Sequence, residues 1–112
     1  MKDARLYLLH IDECLEKIER YTTGGRTTIE GDTLIYDAVL RNLQTLSEAT
    51  QRLPDDVKAR HPGVPWQRIA GFRNILVHQY LGGIDAAIVW NVVEAELPRL
   101  GRAISAELGK AE

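Results

Sequence analysis

Sulfur is almost missing from this chain, whose 112 residues include one cysteine and one methionine. Cys14 alone can neither close an internal disulfide nor build a thiolate metal site, so the cytoplasm, a reducing compartment, is the expected location. Glycine and proline number nine and four, too few for a collagen-like or low-complexity chain. Neither sign of charge dominates: 14 Lys and Arg stand against 16 Asp and Glu, a net charge of -2. With no bulk positive field, a nucleic-acid partner requires a local patch. No apolar run approaches a membrane span, and Lys2, Asp3, Arg5, Asp12 and Glu13 break up the start of the chain, so neither an anchor nor a signal peptide is expected. The length suits one domain over residues 1–112.

What the sequence does contain is apolar residues at helical spacing. Tyr7, Leu8, Ile11, Cys14, Leu15 and Ile18 make one stripe of a helix over 4–22 that Gly24-Gly25 ends. A polar loop over 24–31 is expected next. Asp32 is the expected N-cap of a second long helix with the stripe Ile35, Val39, Leu43, Leu46, Ala49 and Leu53, closed at Pro54. Asp55 and Asp56 form the acidic first turn of a short helix through Arg60. Pro65 suits the first position of a third helix, Trp66 to about Leu81, with Trp66, Ile69, Ala70, Leu76, Val77 and Tyr80 on one side, which Gly82-Gly83 ends. Asp85 caps a last helix with the stripe Val89, Trp90, Val93, Leu97, Leu100, Ile104 and Leu108, in which Pro98 should introduce a bend.

No alternating strand pattern and no internal repeat is present, so the spacing predicts an all-α fold, an antiparallel four-helix bundle with a short extra helix. Leu6, Leu9, Ile88, Val92 and Ala95 lie outside the main stripes. They either widen the core-facing arc or form a homodimer face.

Several chemistries have no carrier here. The glycine pairs lack the strand and Lys-Ser/Thr pair of a phosphate loop. His10, His61 and His78 lack zinc-ligand spacing, and no cofactor or metal is expected. Cys14, on an apolar stripe, reads as a small buried hydrophobe.

The unusual segment is Arg73-Asn74-Ile75-Leu76-Val77-His78-Gln79-Tyr80. A helical wheel puts Arg73 inside the apolar arc, where a guanidinium needs a carboxylate, backbone carbonyls or an anionic ligand. Its planar fork suits a phosphate, and the nearby His78 titrates near neutrality. A fixed cation, a titratable imidazole and the phenol of Tyr80 suffice for metal-free phosphodiester cleavage, with the imidazole moving a proton and the guanidinium stabilising the phosphorane. Five residues on a regular helix separate two side chains by about 140°. Either the helix is distorted there, or a second copy completes the site. The structural alternative is an ion pair of Arg73 with Asp37, Glu48 or Glu94 and a histidine placed by the helix dipole. Residues 52–73 hold five basic and two acidic side chains, and Lys58, Arg60, His61 and Arg68 are candidates for an RNA-binding rim. Asn42 and Asn74 are candidate cleft-lining amides, with a satisfied core amide the plainer reading of Asn42.

The stretch His61-Pro62-Gly63-Val64-Pro65-Trp66-Gln67-Arg68-Ile69-Ala70-Gly71-Phe72, running into Arg73–Tyr80, closely resembles the HepT-like family of the HEPN superfamily. Asp37–Leu43 with Glu48-Ala49, and Ile84-Asp85 with Val89-Trp90 and Leu97-Pro98, resemble its second and last helices. The resemblance implies a helical homodimer acting as a metal-independent endoribonuclease toxin, with Arg73 and His78 catalytic. It also implies an MntA-type nucleotidyltransferase antitoxin that attaches AMP to Tyr80, adding bulk and negative charge at the mouth of an anion-binding cleft. Ser47 departs from the family, which usually has glycine before Glu-Ala. Two other functional readings stand beside the ribonuclease. One is a non-catalytic subunit that binds a nucleotide or presents substrate to a nucleotidyltransferase. The other is a plain helical interaction module.

Overall fold

Asp32 opens the longest helix. In the computed structural model, which describes residues 4–78 and 85–109, its carboxylate accepts from the backbone N–H of Leu34 at 2.9 Å and of Ile35 at 3.4 Å. Those bonds satisfy donors that a helix start leaves unpaired. In chain order the helices are α1 (Ala4–Tyr21), α2 (Arg26–Gly31), α3 (Thr33–Gln51), α4 (Asp55–Ala59), α5 (Trp66–His78), α6 (Ala86–Asn91) and α7 (Leu97–Leu108), with a π-helical segment, Val92–Glu96, between the last two. Every element among the described residues is helical, as the periodicity predicts. The expected ending of the third helix at Gly82-Gly83 lies outside the described residues.

The helix α3 packs against both α1 and α5, and α1 also packs on α7. Ile11 and Ile18 of α1, Val39, Leu43 and Leu46 of α3, Ile69 of α5, Val89 of α6, and Leu100 and Ile104 of α7 are essentially without solvent exposure. These are the stripe positions read from the sequence. Each such side chain contributes about 1.5–3 kcal/mol relative to exposure, against the entropy of ordering it. Cys14 is buried, and that burial pushes its thiol pKa up, so it packs as a small apolar group. Ser47 is fully buried, and its hydroxyl donates to the Leu43 carbonyl at 2.7 Å. The helix itself thus supplies the partner a buried hydroxyl needs.

Two expectations need correction. The segment 24–31 is not a loop, because Arg26–Gly31 forms α2. Gly25 adopts φ +82, a left-handed conformation that reverses the chain after α1, and Thr28 Oγ1 donates to its carbonyl at 2.7 Å. The reason α2 forms is Ile29, 2% exposed, which anchors an otherwise polar turn; α2 lies against α3 and α6. The second correction concerns the last helix. The change in winding precedes Pro98 rather than being centred on it: Val92–Glu96 is π-helical and Pro98 falls in the first turn of α7. The N–H of Leu97 reaches back to the Val92 carbonyl, a wider turn that accommodates a proline ring beside the preceding carbonyls.

Of the residues outside the main stripes, Leu6, Leu9 and Ile88 are 64%, 43% and 52% exposed. Ala95 is exposed as well, and Val92 is half-buried. These exposed side chains do not widen the core.

Candidate functional site

The proline-rich entry to α5 is built by main-chain geometry. Val64 N–H donates to the His61 carbonyl at 3.1 Å, closing a turn over His61-Pro62-Gly63-Val64, and Ile69 N–H donates to the Pro65 carbonyl at 3.0 Å. Pro65 thus starts the helix, where its missing N–H leaves nothing unsatisfied. The Trp66 indole N–H is shared between the carbonyls of Lys58, at 3.1 Å, and His61, at 3.0 Å. One aromatic residue therefore ties the end of α4 to the start of α5.

Arg73 and His78 both belong to α5, which is α-helical from Trp66 through His78. The helix distortion considered above is not found. Side-chain description does not extend to these two residues, and Tyr80 lies outside the described residues. Asn74 is exposed on the same helix. Asn42 is half-buried on α3, and its Nδ2 donates to the Ala38 carbonyl at 2.9 Å, so one of its polar atoms is satisfied within its own helix.

The basic residues of the expected rim are drawn to two acids of the C-terminal region. Arg60 makes a forked contact with Glu107, Nε to Oε2 at 3.0 Å and Nη2 to Oε1 at 2.6 Å. His61 Nε2 meets Oε2 of the same carboxylate at 2.7 Å. Hydrogen bonding from Arg60, and secondarily from His61, holds the Glu107 carboxyl at a pKa of about 2, although burial pushes it the other way. Arg68 Nη1 lies 2.5 Å from Oε1 of Glu96, a carboxylate in the π-helical segment that is only 9% exposed as a residue. Lys58 is half-buried in α4.

Sequence reasoning missed both acids. Glu107 follows Ala103 by one turn and borders the stripe residue Ile104, and Glu96 immediately precedes the stripe residue Leu97. A carboxylate next to a buried stripe was the available signal. No three His, Cys, Asp or Glu side chains among the described residues come together as a metal site. No helix among them is long and apolar enough to cross a membrane.

The family described as HepT-like, ribonuclease HepT-like, matches residues 11–107. The chain belongs to that family. HepT-like relatives include a Caldanaerobacter subterraneus subsp. tengcongensis protein named “Putative RNase”, 35% identical over 111 residues, which cover 98% of each chain. A Thermococcus cleftensis protein named “Probable ribonuclease HepT” is 35% identical over 97 residues, covering 84% of this chain and 86% of the relative. A third relative, from Methanocaldococcus jannaschii, is named “Gamma-glutamylcyclotransferase and putative RNase”; it is 35% identical over 103 residues, and the match spans 45% of its length. No solved structure matches the chain. The HepT-like match takes in α5 entire, and with it Arg73 and His78.

Proposed function

We propose that this HepT-like chain is a metal-independent endoribonuclease and the toxin of a toxin-antitoxin pair. The observation that carries the reading is the family match over residues 11–107, within which one α-helix holds Arg73 and His78. In this mechanism the RNA 2'-oxygen forms a bond to phosphorus while the bond from phosphorus to the 5'-oxygen breaks. The 2'-hydroxyl proton is lost, a proton reaches the leaving oxygen, and a cyclic phosphate and a 5'-hydroxyl end remain. His78 carries one of those protons, and Arg73 stabilises the charge gathered on the phosphorane.

The chain acts as one four-helix HEPN-type domain over 1–112 that pairs with a second copy. Because Arg73 and His78 lie about 140° apart around a regular helix, the second copy completes the cleft. The exposed Leu6, Leu9 and Ile88 supply apolar surface for such a pairing. Asn42 and Asn74 line the cleft, with Lys58, Arg60 and Arg68 at its rim. The partner is an MntA-type nucleotidyltransferase that silences the toxin by attaching AMP to Tyr80, and the compartment is the cytoplasm.

Expression of the chain alone should arrest growth, and purified protein should cleave RNA in the presence of a chelator. Arg73→Ala and His78→Ala should each abolish both effects while circular dichroism and oligomeric state stay unchanged. Intact mass after co-expression with the neighbouring nucleotidyltransferase should rise by adenylate increments that Tyr80→Phe removes. Wild-type protein that cleaves no RNA, with toxicity indifferent to both substitutions, overturns the enzymatic reading. Nucleotide binding that depends on Arg73 without any cleavage would instead establish a non-catalytic subunit.

A further inference from the structure

Beside the turn that leads into α5 lies a groove of about 600 Å³ lined by Arg60, His61, Gly63, Arg99, Arg102 and their neighbours Pro62, Val64 and Ala103. Three of its lining residues are arginines and none is acidic, in a chain whose net charge is -2. Two carboxylates reach Arg60 from beside the groove: Asp56, with Oδ2 3.6 Å from Nη1, and Glu107, which has both oxygens engaged, one by Arg60 and the other by Arg60 and His61, so the uncompensated cations of the groove are Arg99 and Arg102. Glu107 fixes the guanidinium and the imidazole in place. Arg99 and Arg102 stand one helical turn apart on α7, and no ion pair among the described residues holds either one. Like charges gathered around a concavity repel one another until an anion enters, and low-dielectric walls focus their field.

The adjoining flank of α7 has the reverse character. Arg102 also borders a second depression, where Asp12, Glu16 and Glu19 of α1 face Pro98 and Ser105. A polyanion is therefore admitted on one side of α7 and turned away on the other.

We infer that the groove of Arg60, His61, Arg99 and Arg102 holds RNA phosphates away from the scissile bond. This inference rests on the ribonuclease reading and adds to it a track for the substrate chain. The turn His61–Val64 joins the groove directly to the start of α5. From Trp66 to Arg73 and His78 the helix rises about 10 and 18 Å respectively, so a strand seated here reaches the catalytic pair only if it is several nucleotides long. Forked guanidinium donors suit phosphate oxygens, and the exposed Gly63 lets a backbone approach closely.

The test compares wild type, Arg99→Gln/Arg102→Gln and His78→Ala using a fluorescein-labelled single-stranded RNA, fluorescein-labelled polyglutamate and a dinucleotide substrate. The double variant should bind the long RNA about tenfold more weakly, with the slope of log affinity against log salt reduced by about 0.7 per arginine. It should still cleave the dinucleotide at the wild-type rate, and His78→Ala should bind the long RNA as wild type does. If the double variant keeps wild-type RNA affinity and salt slope, the groove assignment fails even where cleavage by wild type upholds the ribonuclease reading. If it loses affinity only for polyglutamate, the groove receives acidic protein segments and the assignment also fails. If RNA affinity depends on Arg99 and Arg102 while wild type cleaves nothing, the groove stands and the ribonuclease reading falls.

Discussion

His61 Nε2 lies 2.7 Å from Oε2 of Glu107, a residue forty-six positions later. Through that contact and the fork from Arg60, the last turn of α7 is fastened to the turn that starts α5. A contact of this separation closes a large loop and restrains the helix on which Arg73 and His78 sit. Both groups are attached to main chain that Trp66 also ties down.

The pH dependence of stability follows from Glu107. Its carboxyl pKa is about 2 in the folded protein, against an ordinary value near 4.3 for glutamate. A lowered folded value stabilises the fold above the unfolded pKa, and that contribution is lost as pH falls from about 4.5 towards 2. Because Arg60 is half exposed, solvent screens the pair and the contribution is about 1–2 kcal/mol rather than the full shift. Glu107→Gln should lower stability by that amount at pH 7 and flatten this part of the profile. Urea denaturation at a series of pH values measures both, and a variant whose profile parallels wild type down to pH 2 refutes the assignment.

The Arg68–Glu96 pair should respond asymmetrically. Arg68 is well exposed, whereas the Glu96 side chain is 11% exposed. Removing the arginine leaves a nearly buried carboxylate without its charged partner, whereas Glu96→Gln removes the charge itself. Arg68→Ala should cost about 1–3 kcal/mol and Glu96→Gln clearly less. Chemical denaturation of both variants decides this, and equal losses would show that burial of Glu96 is not what matters.

Ser47 tests what a buried hydroxyl in mid-helix contributes. Its hydroxyl bonds to the carbonyl one turn back, so Ser47→Ala removes donor and need together and should change stability by less than about 1 kcal/mol. Ser47→Gly also adds backbone freedom in mid-helix. It should destabilise by about 1 kcal/mol. Thermal melts that rank glycine above alanine would contradict this and point to a close helix contact at that position.

Local signals carried most of the fold. Asp32 and Asp85 cap their helices as short acceptor side chains do before apolar runs, and the stripe Val39, Leu43, Leu46 is buried because helical spacing allows no other face. The failures have a common physical source. The helix α2 depends on one isoleucine finding a surface made by distant elements, and no period can be read from a single anchor. Glu96 and Glu107 recruit Arg68 and Arg60 across the fold, and linear charge counting, which made 52–73 a basic segment, cannot see such partners. Arg73 and His78 are proposed from their motif alone, whereas Arg99 and Arg102 matter only through their position beside the His61–Val64 turn.

The π-helical segment is where sequence and backbone were hardest to reconcile, and it can be tested by deletion. A π turn holds one residue more than the α-helix around it, so removing exposed Ala95 should join α6 to α7 as continuous α-helix without rotating either relative to the other. The obstacle is Pro98, whose ring would then meet the carbonyl four residues back without the wider turn. Deletion of Ala95 alone should therefore cost about 3 kcal/mol, the penalty of proline in a helix interior. Pro98→Ala in the deleted chain should recover most of that loss, whereas the same substitution in the intact chain should have a much smaller effect, because the wide turn already accommodates the ring. Denaturation midpoints of the three variants measure the coupling. If the deletion is harmless, or if Pro98→Ala rescues nothing, the proline is not the reason the helix widens at Val92–Glu96.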